Sequence, residues 1–102
     1  MKITIRLAAL LLAATVLPVS AQDDSLAGER LYQENCASCH GANLEGQPDW
    51  RSRLPNGRLP APPHDASGHT WHHTDRVLLD IVKRGTAAIV GNGYESDMPG
   101  FK

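Results

Sequence analysis

The sequence has few of the large residues that normally fill a protein interior. Its 102 residues include one Phe, two Tyr, two Trp and two Met, and aromatic residues make up 5% of the chain. A chain this small buries only a modest core and usually needs additional stabilisation from a metal, disulfides or a cofactor. The shortage of core residues therefore predicts a single small domain held together by something besides side-chain packing.

The sequence also lacks an apolar run long enough to cross a membrane. Residues 7–19 are rich in Leu and Ala, but a membrane span needs about 20 residues, and Pro18 interrupts this run. Lys2 and Arg6 precede the run, and small residues at 19–21 follow it. This pattern predicts a signal peptide at 1–21, a mature domain at 22–102 and a periplasmic location. A retained N-terminal membrane anchor is the alternative.

No strong charge of either sign is present. Without Lys2 and Arg6 the chain has 8 basic and 11 acidic side chains, and the basic ones are scattered. This balance argues against nucleic-acid binding and points to no oppositely charged partner. Nothing in the sequence indicates a small-molecule substrate, and we predict that the protein is not an enzyme.

One motif carries most of the chemical information in the sequence: two cysteines three residues apart are followed directly by a histidine. Side chains at i and i+3 of a helical turn point the same way, so both thiols can add to vinyl groups of one porphyrin. The next imidazole can then reach the iron. The motif predicts one haem c per chain, with thioethers at two positions and a proximal ligand at the third: Cys36, Cys39 and His40.

Two other roles are open to the cysteines. A redox dithiol of the thioredoxin kind requires a βαβ context, which the flanking residues do not show. A zinc-binding module would need further ligands, for which His72 and His73 are available but not in a recognisable spacing. An exported Cys-x-x-Cys without haem would otherwise be expected to form a disulfide.

Met98 is the candidate sixth iron ligand. Apart from Met1 it is the only methionine, and its neighbours are not a core pattern, since Ser96 and Asp97 precede it and Pro99 follows it. A thioether on iron raises the reduction potential. The alternative is an open or bis-histidine sixth position, which would suit a peroxidase or ligand sensor. The other histidines could each supply such a ligand: His64, His69, His72 and His73. Three of them, His69, His72 and His73, could instead hold a second metal if that stretch is helical.

The spacing of apolar residues predicts two main helices. One covers residues 23–35, with Asp24 or Ser25 as its cap, and the other covers 74–84, capped by Thr74 and ended by Gly85. Residues 41–68 hold too many prolines and glycines for a regular element, and 85–97 is expected to be loop. In the first loop, Pro62 is the expected carbonyl partner of the second His40 ring nitrogen.

With these features in place, the chain resembles the class I cytochrome c family from about residue 28 to 101. The resemblance is carried by the haem motif at 36–41, the proline-rich loop, the helix ending at 84, and Tyr94 with Met98 and Pro99. It implies an all-α fold around one covalent haem, with Cys36, Cys39, His40 and Met98 in the haem-binding roles. It further implies one-electron transfer with redox partner proteins, of which a membrane complex could be one.

The chain departs from the family pattern at its C-terminal end. The family closes with a helix that crosses the first helix at its Gly and aromatic positions, here Gly28 and Tyr32. This chain stops at Lys102, four residues after Met98. We therefore expect that the domain is truncated at its C-terminus or that another chain supplies the helix.

Overall fold

The computed structural model describes residues 20–102, and the predicted signal peptide lies almost entirely outside them. Within the described residues every regular element is helical, which confirms the all-α prediction. Long loops separate the helices, above all between residues 41 and 69. In chain order the elements are α1 (Ser20–Asn35), α2 (Ala37–His40), a 3₁₀ helix (Thr70–His72), α3 (Asp75–Arg84) and α4 (Thr86–Val90).

Helix α1 leads directly into the short helix α2. It begins at Ser20, so Asp24 and Ser25 lie inside the helix and the prediction that one of them caps it was wrong. At its other end the Cys36 amide donates to the Tyr32 carbonyl at 2.8 Å, and the His40 amide donates to the Cys36 carbonyl at 2.9 Å. The helical bonding pattern therefore continues through the bend at Cys36, which fixes α2 relative to α1.

Helix α3 has the bounds and the cap that the sequence predicts. The Thr74 hydroxyl accepts a hydrogen bond from the Val77 amide at 3.4 Å, and Gly85 ends the helix with φ 82°. The prediction of loop over residues 85–97 was wrong at residues 86–90, because the chain turns at Gly85 into the five-residue helix α4. Residues 91–97 are loop, as predicted. Helices α3 and α4 pack against each other, as α1 and α2 do.

The described part of the domain has no hydrophobic core made of its own side chains. No hydrophobic side chain of residues 22–102 is buried. The apolar stripe of α3 is an example, since Val77 is 38% exposed and Val82 is 43% exposed. A folded chain whose apolar stripe stays accessible has room for an apolar body that its own side chains do not supply. Separately, none of the helices in residues 20–102 is long and apolar enough to span a bilayer.

Candidate functional site

The attachment turn, residues 36–41, is held by hydrogen bonds to three successive carbonyls at the end of α2. The Gln47 side-chain amide donates to the Cys39 carbonyl at 2.8 Å. The Gly46 amide donates to the His40 carbonyl at 2.7 Å. The Tyr32 hydroxyl donates to the Gly41 carbonyl at 2.8 Å. These are the carbonyls that a helix end leaves without partners, so a helix of one turn is stabilised here by its surroundings.

Cys36 and Cys39 carry free thiols at the two ends of this turn. Cys36 is half-buried and Cys39 is exposed. The three-residue helical spacing that the motif predicts is present, since the amides of Cys39 and His40 both bond to the Cys36 carbonyl. Two adjacent, accessible thiols on one turn can both react with a single flat partner.

His40 is the buried polar side chain of the described domain, with 7% of its surface exposed. Its Nδ1 lies 2.8 Å from the Pro62 carbonyl oxygen. A carbonyl only accepts, so Nδ1 carries the proton and Nε2 is the nitrogen left with a free lone pair for a metal. This confirms the prediction that Pro62 orients the His40 ring.

The proline loop, residues 58–64, is placed by its pairing with the segment that follows the attachment turn. The Gln47 amide donates to the Ala61 carbonyl at 2.9 Å, and the His64 amide donates to the Leu44 carbonyl at 2.9 Å. These two bonds flank Pro62, which has no amide hydrogen of its own. They therefore fix the position of the Pro62 carbonyl relative to the His40 ring.

His64 stacks on the His40 imidazole. The ring centroids of His40 and His64 are 3.9 Å apart with an interplanar angle of 24°. Burial lowers the pKa of His64 from its ordinary value, and the neighbouring His40 lowers it further. Two imidazoles stacked this closely lie on the same side of any metal bound by one of them, which argues against His64 as a ligand opposite His40.

Met98 lies in a separate loop, residues 91–101, which we call the Met98 loop. Its sulfur accepts a hydrogen bond from the Thr86 hydroxyl at 3.3 Å, and its amide donates to the Ser96 hydroxyl at 3.1 Å. The loop is attached to the end of α3, where the Phe101 amide donates to the Val82 carbonyl at 2.9 Å. Within residues 20–102 no hydrogen bond joins Met98 to the attachment turn.

The remaining histidines form a chain of ring contacts around the 3₁₀ helix. His69 packs edge-on against Trp50 with centroids 5.0 Å apart, and His72 packs edge-on against Trp71 at 5.1 Å. Across the described residues, no three His, Cys, Asp or Glu side chains are grouped so as to bind a metal ion. Neither the zinc module nor a second metal site therefore has a ligand cluster in the described domain.

Comparison with known proteins identifies the class of this domain. The sequence model of the family described as Cytochrome c matches residues 25–102, well over half of the chain. The chain therefore belongs to the cytochrome c family.

Two curated relatives share short stretches with it. Cytochrome c-555 of Prosthecochloris aestuarii is 45% identical over 42 residues, covering 35% of this chain and 42% of the relative. Cytochrome c-550 of Virgibacillus halodenitrificans is 61% identical over 23 residues, covering 22% of this chain and 66% of the relative. The chain thus spans less than two thirds of the length of either relative. No solved structure gives a significant match.

The cofactor of the family, haem c with its iron, fits the residues present. Both thiols are free and lie three residues apart on one helical turn, and an oriented imidazole follows them with Nε2 available. The domain also leaves its apolar side chains without burial, as expected of a chain that folds around a large apolar cofactor. The donor set, one thiol pair and one imidazole in a single turn, is the one that haem c requires.

Three supporting residues were not predicted from the sequence. Tyr32 was interpreted as part of a helix-crossing face, but its hydroxyl bonds to the attachment turn, and burial raises its pKa. The Gln47 contact has no local sequence signal. The guanidinium of Arg58 pairs with Asp97 and lies 3.9 Å from Glu95. These contacts span eight residues for Gln47, nine for Tyr32 and 39 from Arg58 to Asp97, and no helical or strand spacing predicts such pairs.

Proposed function

We propose that this chain is an exported one-electron carrier whose haem iron is held by His40 and Met98, with thioethers at Cys36 and Cys39. The observation that carries the proposal is the bond from His40 Nδ1 to the Pro62 carbonyl, in the turn that bears both thiols. A ring nitrogen fixed in this way presents Nε2 to a metal and becomes a stronger ligand. The mature domain in this proposal is residues 22–102.

When bound, haem c supplies a ferric–ferrous couple that takes up and releases one electron. The chain's own residues attach and orient that group. The two thiols tie it to the attachment turn, and the Pro62 carbonyl sets the His40 tautomer. Met98 contributes a neutral sulfur ligand, which favours the reduced iron.

Redox proteins outside the cytoplasm are the proposed partners, with a membrane complex among the candidates. The low net charge offers no strong electrostatic steering, so partner recognition should depend on contact at the edge of the cofactor. Mass spectrometry of protein from the periplasmic fraction tests the export proposal. A mature chain beginning at Gln22 supports it, whereas a chain that keeps residues 1–21 and sediments with membranes would show an anchor.

Absorption spectra test the ligation. The chain is expressed together with haem-maturation machinery, and oxidised and reduced spectra are recorded for the unmutated protein and for Met98→Ala. We expect covalent haem in both proteins and a far-red methionine-to-ferric-iron band in the unmutated protein alone. Absence of covalent haem would reject every haem-based function.

The same spectra decide between the carrier and the alternative from another functional class. A high-spin ferric spectrum of the unmutated protein would indicate an open sixth position and favour a peroxidase or ligand sensor. A low-spin spectrum that survives in Met98→Ala would indicate a histidine ligand, and substitution of His69, His72 and His73 one at a time would identify it. This alternative is worth testing because Met98 is only half-buried and its sulfur has a single hydrogen-bond partner, the Thr86 hydroxyl.

A further inference from the structure

Arg58 makes both long-range ion pairs found in the described part of the chain. Of the three ion pairs there, one joins Arg30 and Glu34 within α1, and the other two belong to Arg58. Its guanidinium Nη1 donates to Asp97 Oδ1, 39 residues further along the chain. Its Nε lies 3.9 Å from a Glu95 carboxylate oxygen. One cation therefore faces two carboxylates of the Met98 loop.

The positions of the two partners give this contact its meaning. Asp97 immediately precedes Met98, and Arg58 begins the proline loop that carries the Pro62 carbonyl. Pro62 in turn orients His40. The Arg58–Asp97 pair therefore connects the segment that orients the proximal imidazole with the segment that carries the sulfur ligand.

Arg58 is also fixed at its base. Its amide donates to the Asn56 side-chain oxygen at 3.0 Å, and its carbonyl accepts from the Leu54 amide at 2.8 Å. The side chain is 36% exposed, against 72% for Arg30. An arginine held in this way loses less conformational freedom when it forms an ion pair. Its fork of donors also suits a carboxylate better than a lysine would.

We infer that Arg58 is a positioning residue that holds the Met98 loop against the proline loop and so keeps Met98 on the iron. The inference deepens the proposed function and rests on its assignment of Met98 as the sixth ligand. Loss of the ion pair would leave the covalent haem and His40 unchanged, and would make Met98 easier to displace. Salt should weaken the contact, because both partners are partly exposed.

Competition with added imidazole measures how firmly Met98 is held. Imidazole displaces the sulfur, and the far-red band reports the displacement. For Arg58→Gln and Asp97→Asn we expect the imidazole concentration at half-displacement to fall about two- to fivefold, the range of an exposed ion pair. In the double variant this concentration should fall no further than in the single variants, because the two residues act through one contact. Glu95→Gln should have a smaller effect.

Arg30→Gln is the matched control, since it removes an arginine from an ion pair remote from both loops. The exchanged pair, Arg58→Asp with Asp97→Arg, should raise the imidazole concentration at half-displacement part of the way back to its unmutated value. High salt should lower that concentration in the unmutated protein toward the value of the single variants. Equal half-displacement in Arg58→Gln, Arg30→Gln and the unmutated protein would overturn the inference and leave the proposed function intact.

An effect of Arg58→Gln that Asp97→Asn does not share would also overturn it, since Arg58 would then act on a different group, such as a carboxylate of the cofactor. Absence of the far-red band from the unmutated protein would overturn the Met98 ligation and this inference together. The two failures are thus distinguishable.

Discussion

His40 and Met98 are held by very different amounts of structure. The turn that carries His40 receives hydrogen bonds at three successive carbonyls, and the His40 ring is buried and bonded to Pro62. Met98 has one hydroxyl on its sulfur and one local bond at its amide. The structure therefore fixes His40 strongly and Met98 weakly.

This difference matches the roles proposed for the two sides. In that proposal one side is attached covalently through Cys36 and Cys39, and the other would be held by the Met98 loop alone. If the two sides are independent in this way, a change on one side should leave the other intact.

Removal of both thiols should abolish attachment, while removal of the sixth ligand should not. In Cys36→Ala with Cys39→Ala, no thioether can form, and we expect no haem to remain with the chain after denaturation. Met98→Ala should keep the full haem mass in denaturing mass spectrometry. Ser38→Ala is the control within the same turn. Loss of covalent haem in Met98→Ala would show that closure of the Met98 loop precedes attachment, contrary to the comparison.

Gly85 is a position at which an added side chain would press directly on the Met98 loop. It has φ +82°, and a Cβ there would lie 3.0 Å from the Met98 carbonyl oxygen and 3.1 Å from the Gly100 amide. Gly85→Ala adds backbone strain of about 1–3 kcal/mol and also displaces the Met98 loop. We expect the far-red band to be lost at lower denaturant concentration than in the unmutated protein.

Gly57 is a matched control for that experiment. Its φ is +83°, but a Cβ there would meet nothing within 4 Å. Gly57→Ala should therefore lower stability through strain alone and leave the denaturant dependence of the far-red band parallel to global unfolding. If both variants release Met98 equally early relative to unfolding, the contact at Gly85 does not position the loop.

The sequence predicted the proximal side better than the distal side, for physical reasons. Attachment chemistry requires a fixed spacing of Cys36, Cys39 and His40, and a ligating imidazole needs an acceptor for Nδ1, which made the Pro62 carbonyl predictable. Helix α3 was predictable because Thr74 and Gly85 mark its ends. These signals are local or follow from the chemistry of one residue.

The contacts of the distal side follow from tertiary structure instead. Helix α4 is only five residues long, too short for a periodic pattern to emerge, and its interval was predicted as loop. The Arg58–Asp97 pair spans 39 residues, and no spacing rule relates such positions. The cap assigned to α1 failed because the residues before it also take helical conformation, which propensity alone does not exclude.

Thr86→Val should lower the reduction potential of the haem iron without lowering the stability of the fold. The Thr86 hydroxyl donates to the Met98 sulfur, which withdraws electron density from the ligand and disfavours ferric iron. Its removal should lower the reduction potential by less than about 59 mV, the value for a tenfold change in a one-electron equilibrium. Potentiometric titration measures the shift. Thr86→Ser keeps the hydroxyl and should keep the potential, whereas an equal shift in both variants would show that the hydroxyl contact to sulfur is not the cause.

The smallest expected effect lies just beyond the proline loop, at Asp65. The hydroxyl and the amide of Ser67 both donate to its carboxylate, and these bonds lower the pKa of Asp65 from the ordinary value of 3.8. A lowered pKa stabilises the folded state above pH 3.8, and this contribution is lost as the pH falls through the folded-state value. Ser67→Ala removes only the hydroxyl bond, so the pKa of Asp65 should rise toward 3.8 without reaching it.

Carboxyl NMR titration of the haem-loaded protein measures the change, with Ser67→Thr as the control that keeps the hydroxyl. Because Asp65 is exposed, neither variant should alter imidazole displacement of Met98, and a change there would mean that the two sides are coupled through this turn.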